Sequence, residues 1–322
     1  MPQPSMSQHL SAGILGGSVS TVLLYPLELV KTRMQVIESS GTTMQSRGYH
    51  SMHSATRTVL AKEGFLGLYQ GLFPAVIASA GSWGFYFLLY ENSKQRKLRS
   101  FENGTKLSTI DHLLSGVEAG VVLVLAFNPL WLVKTRLALQ GIDTTRGKPY
   151  SGLFQSLKMI VKEEGFVGLY KGVVPALFLT SHGAIQFAFY EKLKEFSSNY
   201  YRTNSTSDSN VLPSWVPIIN GGISKIFAST VTYPYQVIKS RLQQRPNMEA
   251  PPTNGALLSK LHSNSKYSGT IDCIQKIWKV EGVRGYFRGV MPNALKVAPS
   301  AALTFFTYEE TLKLLQTHNL LE

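Results

Sequence analysis

The sequence predicts an all-α membrane protein with six transmembrane helices arranged as three tandem two-helix repeats. Three observations favour this class. Hydrophobic residues make up 44% of the chain and charged residues only 16%, whereas an ordinary soluble domain has about 25% charged residues. A proline-containing motif recurs three times at intervals of about a hundred residues, a pattern that is typical of repeat architectures. Each interval also holds two apolar stretches long enough to cross about 30 Å of hydrocarbon.

Three short motifs define the repeat, and they occur in the same order in every copy. The proline motif reads PLELVKTR at residues 26–33, PLWLVKTR at 129–136 and PYQVIKSR at 234–241. The glycine motif reads EGFLGLYQG from residue 63, EGFVGLYKG from 164 and EGVRGYFRG from 281. The tyrosine motif reads YENSK from residue 90, YEKLK from 190 and YEETL from 308. We therefore predict repeats at residues 1–105, 106–210 and 211–322.

Each repeat is predicted to contain two membrane helices with a short surface helix between them. The first helices are expected at residues 7–36, 110–140 and 214–243. Each contains a motif proline, which removes a backbone donor and kinks the helix. The second helices are expected at 72–98, 173–196 and 290–315. The surface helices are expected at 51–63, 152–164 and 268–281, where each amphipathic stretch ends at a glycine.

The positive charge of the chain follows the repeat. The net charge is +13, and 21 of the 32 lysines and arginines lie in the long loops at 31–70, 134–171 and 239–288. These loops are expected to face the more negative compartment. A nucleic-acid site needs one contiguous basic face with interleaved aromatic residues. We therefore expect a lipid membrane and no nucleic acid as the partner.

The chain offers few residues for catalysis or metal binding. Its single cysteine, Cys273, excludes a disulfide framework and leaves too few thiolates for a zinc site. No repeated carboxylate pair and no nucleophile with a base stands outside the motifs. We expect a protein that is not an enzyme and that has no metal or cofactor. Residues 1–8 contain no basic residue, so any organellar address is expected to be internal.

Together the three motifs resemble the signature of the mitochondrial carrier family, over about residues 7–315. The resemblance implies six tilted helices around a central cavity with pseudo-threefold symmetry. It also implies that both termini lie on the cytosolic side and that the long basic loops, with their surface helices, lie in the matrix. We accordingly expect a monomer in the mitochondrial inner membrane, with cardiolipin at the matrix-side surface helices; the alternative location is the chloroplast envelope.

The resemblance further implies a gate at the matrix side, here called the motif-end gate. In the family, an acidic residue two places after each motif proline pairs with a lysine five places after the proline of a neighbouring repeat. This chain keeps the lysines but retains only one of the acidic residues, so one ion pair, one hydrogen bond and one cation–π contact are expected. The pairs are Glu28 with Lys134, Gln236 with Lys31, and Trp131 with Lys239; Gln35 and Gln243 resemble bracing glutamines, and Ala138 takes that place in the second repeat.

A second gate is expected at the cytosolic side, here called the opposite gate. It would be formed by the charged residues of the tyrosine motifs. Leu312 replaces the basic residue in the third repeat, so one of its links is missing. Substrate binding would then break one gate while the other forms. The residues are Glu91, Lys94, Glu191, Lys194 and Glu309.

Substrate contacts are expected on the second helix of each repeat, at the positions that align with the contact level of the family. These are Ala78 with Ser79, Leu179 with Thr180, and Lys296 with Val297, and Phe178 is an alternative in the second repeat. Ionisable residues at membrane depth are functional candidates by default. Such residues are Glu118, His182, Lys225 and Lys296, and Lys225 stands where the other repeats have Gly17 and Gly120.

The tryptophan of PLW narrows the resemblance to the branch of carriers for folate, FAD, NAD and pyrimidine nucleotides. The strings GSWGFYF, NPLWLVKTRL, SHGAIQF and YPYQVIKSRLQQRP look most like folate and FAD carriers. Trp83, His182 and Gln186 are candidates to stack on, or hydrogen-bond, a flat heteroaromatic ring. The resemblance thus implies transport of folate or FAD. NAD or pyrimidine nucleotide transport and a non-transporting membrane adaptor are the alternatives.

Overall fold

The computed structural model describes residues 6–37, 48–49, 51–100, 107–142, 149–204, 213, 215–246 and 267–319. Within these ranges the regular structure is helical and contains no strand. Two short 3₁₀ segments, Phe166–Tyr170 and Leu179–Ser181, precede and follow the short helix Val173–Phe178. The helices are α1 (Met6–Val36), α2 (Met52–Gly67), α3 (Leu72–Ser100), α4 (Thr109–Leu139), α5 (Leu153–Glu164), α6 (Val173–Phe178), α7 (His182–Asn204), α8 (Trp215–Val231), α9 (Tyr233–Leu242), α10 (Thr270–Glu281), α11 (Val283–Tyr286) and α12 (Val290–Asn319).

Several of these helices are long and apolar enough to cross a membrane. Among the described residues, four segments meet both conditions: Ser11–Val36, Leu72–Arg99, Thr109–Leu139 and Phe166–Tyr201. The first long helix of the third repeat is instead divided at Thr232, between α8 and α9. The count of six spans therefore stays a prediction, while the all-helical class is confirmed.

The motif prolines have different effects on their helices. Pro26 and Pro129 lie inside the uninterrupted helices α1 and α4. Pro234 instead stands near the start of α9, after the break at Thr232. A proline lacks the N–H that would bond to the carbonyl four residues earlier, and its ring crowds that carbonyl. The sequence predicts a kink at Pro234, whereas the structure has a helix break there.

The surface helices end at glycines because those positions need a left-handed backbone. Gly165 and Gly282 follow α5 and α10 with φ angles of 73° and 61°. In the first repeat Gly64 has φ 70° and divides α2 in the same way. Residues other than glycine rarely adopt these backbone angles. The predicted ends of all three surface helices are therefore confirmed.

The long helices close into a ring that leaves a space at its centre. α1 packs against both α3 and α12, α3 packs against α4, and α7 packs against α8. Contacts of α6 with α4 and α9 complete the circuit. Large apolar side chains such as Leu23, Leu88 and Ile110 stay exposed on these helices, as is expected of surfaces that face lipid.

Each repeat has a small core of its own at the motif end of the ring. In the first repeat, Leu29 and Val30 of α1 pack with Val59 of α2 and are fully buried. Leu132 and Ile160 make the equivalent contact region in the second repeat. The third repeat uses Val237 and Ile277, and it also buries Cys273. These three cores fix the surface helices against the first long helix of each repeat.

Candidate functional site

Three buried arginines connect the repeats just outside the motif-end gate. The arginine that ends each proline motif is salt-bridged to the glutamate that begins the glycine motif of its own repeat. Its Nε also donates to a backbone carbonyl of another repeat, at 2.9 to 3.1 Å. The ion pairs are Arg33 with Glu63, Arg136 with Glu164, and Arg241 with Glu281, and the carbonyls belong to Ala138, Gln243 and Gln35 in that order.

Sequence analysis missed these arginine links, although the motifs contained the signal. Both residues occur in triplicate at matching places, and an arginine buried in an apolar layer requires a charged partner. Burial alone would raise the pKa of Glu164, but Arg136 and Lys171 hold that pKa below its ordinary value. Lys171 Nζ lies 2.7 Å from the Glu164 carboxylate. The links therefore have a structural role, since they join motif to motif and repeat to repeat.

The motif-end gate contains the three contacts that the sequence predicts. Glu28 Oε1 lies 3.0 Å from Lys134 Nζ. Lys31 Nζ donates to Gln236 Oε1 at 2.9 Å. These contacts join the first repeat to the second and the third repeat to the first.

The third contact joins the second and third repeats and has no acidic partner. Lys239 Nζ lies 4.2 Å from the centroid of the Trp131 ring, which is the expected cation–π arrangement. Phe127 packs against the same tryptophan, with ring centroids 6.4 Å apart. The gate is thus closed by contacts of unequal chemistry.

Two glutamines support the gate from below, as expected. Gln35 Nε2 donates to the Tyr233 hydroxyl at 3.1 Å, and Ser240 Oγ donates to Gln35 Oε1 at 2.8 Å. Gln243 Oε1 accepts from Thr135 Oγ1 at 2.8 Å. Each glutamine therefore connects its own helix to the first long helix of a neighbouring repeat.

Lys296 takes a position that sequence analysis did not predict. Its Nζ lies 2.7 Å from Glu28 Oε2, so Glu28 is shared between Lys134 and Lys296. All three side chains are largely buried, with 18% to 29% of their surface exposed. The expected substrate contact of α12 is therefore also a partner of the motif-end gate.

The opposite gate is not assembled in this structure. Lys94 Nζ lies 3.1 Å from Glu91, but both residues belong to α3. Glu191, Lys194 and Glu309 are exposed, and within the part of the chain that the structure describes they make no hydrogen bond or ion pair to another helix. Among the described residues, the contacts predicted for the motif-end gate are present and those predicted for the opposite gate are not, an arrangement here called the motif-closed state.

Glu118 is held by two side chains of α3 near the predicted opposite gate. Its Oε2 accepts from Ser93 Oγ at 2.5 Å, and its Oε1 is salt-bridged to Arg96. Both partners lie on α3, whereas Glu118 lies on α4. This carboxylate therefore ties two adjacent helices together.

One cavity of about 660 Å³, here called the lysine cavity, lies among α1, α3, α8 and α12. Lys225 and Lys296 line it together with Ser79. Trp83 and Phe87 form an aromatic platform in the same wall, with ring centroids 6.0 Å apart and an angle of 27° between the rings. Four of the expected substrate residues thus meet in one space.

A second cavity of about 620 Å³, here called the aromatic cavity, lies among α3, α4 and α7. It is lined by Tyr86 and Tyr90 of α3 and ends at Trp131 and Lys239 of the gate. Three of the expected substrate residues of the second repeat line this cavity and not the lysine cavity. They are Leu179, Thr180 and His182.

Three expected substrate residues line neither cavity, namely Ala78, Gln186 and Val297. Ala78 has 1% of its surface exposed, so packing against its neighbours makes it inaccessible in this conformation. Gln186 is half-buried on α7 outside both linings.

The alternative residue Phe178 stacks on Tyr235, with ring centroids 5.3 Å apart, whereas Leu179 lines the aromatic cavity. Sequence analysis missed Phe87, although an aromatic residue one helical turn from Trp83 is a recognisable signal.

Over the described ranges, no group of three or more His, Cys, Asp and Glu side chains is placed to hold a metal ion.

Comparisons with known proteins agree with this architecture. A family profile described as "Mitochondrial carrier protein" matches residues 2–101, 105–201 and 210–319. "Folate transporter 1, chloroplastic" of Arabidopsis thaliana is 42% identical over 97% of this chain and 96% of its own length. "Nicotinamide adenine dinucleotide transporter 2, mitochondrial" of the same organism is 35% identical over 96% of this chain and 79% of its own. "Mitochondrial pyrimidine nucleotide transporter RIM2" of Saccharomyces cerevisiae is 28% identical over 95% and 85%. The chain therefore belongs to the mitochondrial carrier protein family, whose members are solute transporters.

Proposed function

We propose that this carrier moves a large anionic heteroaromatic cofactor, folate or FAD, across an organellar inner membrane by alternating access. Folate is the first substrate to test, because the folate transporter of Arabidopsis thaliana shares 42% of its residues with this chain. The proposal includes a monomer in the mitochondrial inner membrane, with cardiolipin at the surface helices. The chloroplast envelope is the alternative location.

The composition of the lysine cavity is the observation that carries the proposal. Trp83 and Phe87 present aromatic faces, and Lys225 and Lys296 present cations in the same space of about 660 Å³. A flat ring stacks favourably on aromatic side chains, and ammonium groups bind a carboxylate or a phosphate. Folate and FAD each combine a flat ring system with an anionic group. A small dicarboxylate would leave the aromatic wall without a partner.

The Lys296 contact supplies a physical link between binding and gating. Glu28 holds Lys296 at 2.7 Å and Lys134 at 3.0 Å in the motif-closed state. An anionic substrate group that binds Lys296 competes with Glu28 for the same ammonium. Each hydrogen bond to a charged group contributes about 1.5 to 3 kcal/mol, so losing one weakens the closed gate and favours opening at the motif end.

A transport assay tests the proposal directly. The purified chain is reconstituted into liposomes and offered labelled tetrahydrofolate, FAD, NAD and a pyrimidine nucleotide side by side. We expect uptake of tetrahydrofolate or FAD. Lys296→Ala should abolish this uptake while the protein remains folded in the membrane.

A control on the same helix separates the role of Lys296 from a general loss of positive charge. Lys313 lies near the end of α12, exposed and paired with Glu310, so Lys313→Ala should transport at the wild-type rate. Full transport by Lys296→Ala would refute the assigned contact.

The substrate panel also decides between the alternatives. NAD and pyrimidine nucleotide carriers remain the second candidate, because relatives that are 35% and 28% identical have those names. Uptake of NAD or a pyrimidine nucleotide alone would overturn the choice of folate or FAD. Failure of the folded protein to move any of the four compounds would favour a non-transporting adaptor.

A further inference from the structure

His182 breaks the threefold pattern of the sequence at a defined place. It lies eight residues before the tyrosine of its tyrosine motif, where the other two repeats have Ser82 and Ser300. The next residue is Gly183, and its counterpart in the first repeat is Trp83. Apart from its two chain neighbours and the backbone of its own helix, nothing lies within 4 Å of the position that a Cβ at Gly183 would take. The second repeat thus combines an imidazole with open space beside it.

Thr232 breaks the pattern in the third repeat, and it faces His182. It lies two residues before the motif proline, where the other repeats have Leu24 and Phe127. Its Oγ1 is 3.1 Å from His182 Nδ1. Two unrelated departures from the repeat therefore meet in one hydrogen bond. The equivalent pairs are Ser82 with Phe127 and Ser300 with Leu24, and neither pair can form such a bond because Phe127 and Leu24 have apolar side chains.

The hydrogen bonds of Thr232 determine which nitrogen of His182 carries the proton. Thr232 Oγ1 donates to the Ala228 carbonyl at 2.8 Å. A hydroxyl has one hydrogen, so towards His182 this oxygen acts as the acceptor and Nδ1 is the donor. In a neutral imidazole with Nδ1–H, Nε2 has a free lone pair. His182 therefore presents an acceptor on the ring edge that does not bond to Thr232.

The surroundings of His182 suit a flat ring. His182 and Gly183 line the aromatic cavity of about 620 Å³. Its wall on α3 is a stack of Tyr86 and Tyr90, with centroids 6.3 Å apart and ring planes 15° apart. His112 extends that stack at 6.5 Å from Tyr90. The cavity therefore combines aromatic faces with an acceptor at its edge.

We infer that His182 Nε2 accepts a hydrogen bond from a ring N–H of the substrate, and that Thr232 acts as the positioning residue that fixes the tautomer. The ligand class is a heteroaromatic ring with an N–H donor on its edge, such as a pterin or a flavin. The inference rests on the proposed function and deepens it. It places the N–H edge of the ring at His182 and the anionic group at Lys225 and Lys296. The two cavities are neighbours, because Tyr86 of the aromatic cavity and Phe87 of the lysine cavity have ring centroids 6.1 Å apart.

The test compares a ligand with and without its ring. Competition against labelled pteroylglutamate is measured on the purified full chain, with pteroylglutamate and p-aminobenzoylglutamate as competitors. The second compound keeps the anionic group and lacks the pterin. We expect His182→Phe to weaken the binding of pteroylglutamate by about fivefold to tenfold, which corresponds to the loss of one hydrogen bond. The affinity for p-aminobenzoylglutamate should stay within about twofold of the wild-type value.

Three further variants separate recognition from folding. His182→Asn retains a side-chain acceptor and should recover part of the affinity for pteroylglutamate. Thr232→Val leaves the imidazole but removes its acceptor, so it should weaken pteroylglutamate and spare p-aminobenzoylglutamate. Ser82→Ala changes the equivalent position of the first repeat and should change neither.

Each remaining outcome decides against a specific claim. An equal loss for both ligands in His182→Phe, or no loss for pteroylglutamate, overturns the role of His182. A wild-type protein that binds neither pteroylglutamate nor FAD overturns the proposed function, and with it this inference. If the wild-type protein binds pteroylglutamate but the variants weaken both ligands equally, this inference is overturned and the proposed function stands.

Discussion

Replacing Glu28 with glutamine tests whether the motif-end gate is held closed by one shared carboxylate. Glu28 contacts Lys134 at 3.0 Å and Lys296 at 2.7 Å, and 18% of its side chain is exposed. Glutamine keeps the shape of the side chain and an acceptor oxygen, but it removes the charge. Glu28→Gln should therefore destabilise the motif-closed state without altering the packing of the helices.

The expected magnitude follows from the number and type of the bonds lost. Two hydrogen bonds between charged groups contribute about 1.5 to 3 kcal/mol each. The amide of glutamine restores part of one of them, which leaves a loss of about 2 to 4 kcal/mol. Because about 1.4 kcal/mol corresponds to a tenfold change in an equilibrium constant, the ratio of motif-open to motif-closed protein should rise at least tenfold.

A cysteine placed at the gate reports this change. Ser240 lies one helical turn after Gln236 and lines the gate beside Gln35, so Ser240→Cys provides a thiol that the closed gate shields. The natural Cys273 is fully buried, and burial raises the pKa of its thiol to about 12, so it contributes little background. Labelling with a membrane-impermeant maleimide should be at least tenfold faster when Glu28→Gln is added.

The control for this experiment is a carboxylate away from the gate. Glu310 is paired with Lys313 near the end of α12, and Glu310→Gln should leave the labelling rate of Ser240→Cys unchanged. Equal labelling rates with and without Glu28→Gln would refute the role of the shared carboxylate. Equal acceleration by both substitutions would attribute the effect to net charge.

Three other substitutions or treatments follow from the same contacts. Glu163→Gln should lower the melting temperature in detergent, because Glu163 and Arg245 lie 2.6 Å apart between the second and third repeats. The same substitution should have no effect in an Arg245→Ala background, and additive effects would show that the pair does not interact. Trp131→Glu should replace the cation–π contact of Lys239 with an ion pair, which raises the melting temperature and slows exchange in liposomes; faster exchange would contradict this. Cys273 should resist iodoacetamide at pH 8 in the folded protein and react on unfolding, because its thiol is buried and its pKa is about 12; rapid labelling of the folded protein would show that α10 opens readily.

Sequence reasoning predicted the parts of this molecule that the repeat determines. The repeat aligns Glu28, Gln236 and Trp131, and it aligns the three lysines that they contact. The family resemblance supplies the pairing rule, the repeat assigns it to these residues, and the three contacts are present in the structure. The glycine ends of the surface helices were predictable for the same reason, because each depends on a local backbone angle.

Contacts between positions that do not align in the repeat were not predictable. Lys296 was assigned to the substrate on the basis of its level in the helix, yet its distance to Glu28 depends on how α12 packs against α1. Ala78 was assigned by the same alignment and is buried. Helix tilt and rotation come from packing, which a one-dimensional pattern does not contain. The division of the central space into two cavities has the same origin.

The ion pair of Arg245 and Glu163 shows how departures from the repeat offset one another. In the gate, the lysine of the third repeat contacts the second repeat through the cation–π contact with Trp131, in place of an acidic partner.

At the periphery, the same two repeats have the ion pair of Arg245 and Glu163, with Arg245 also 4.6 Å from the Tyr150 ring. The residues equivalent to Glu163 are Lys62 and Val280, and those equivalent to Arg245 are Ile37 and Gln140. Neither of the other two interfaces therefore has opposite charges at these places. The interface with the weakest gate contact is thus the one that has this additional ion pair, in a position where it restrains the repeats without occupying the substrate path.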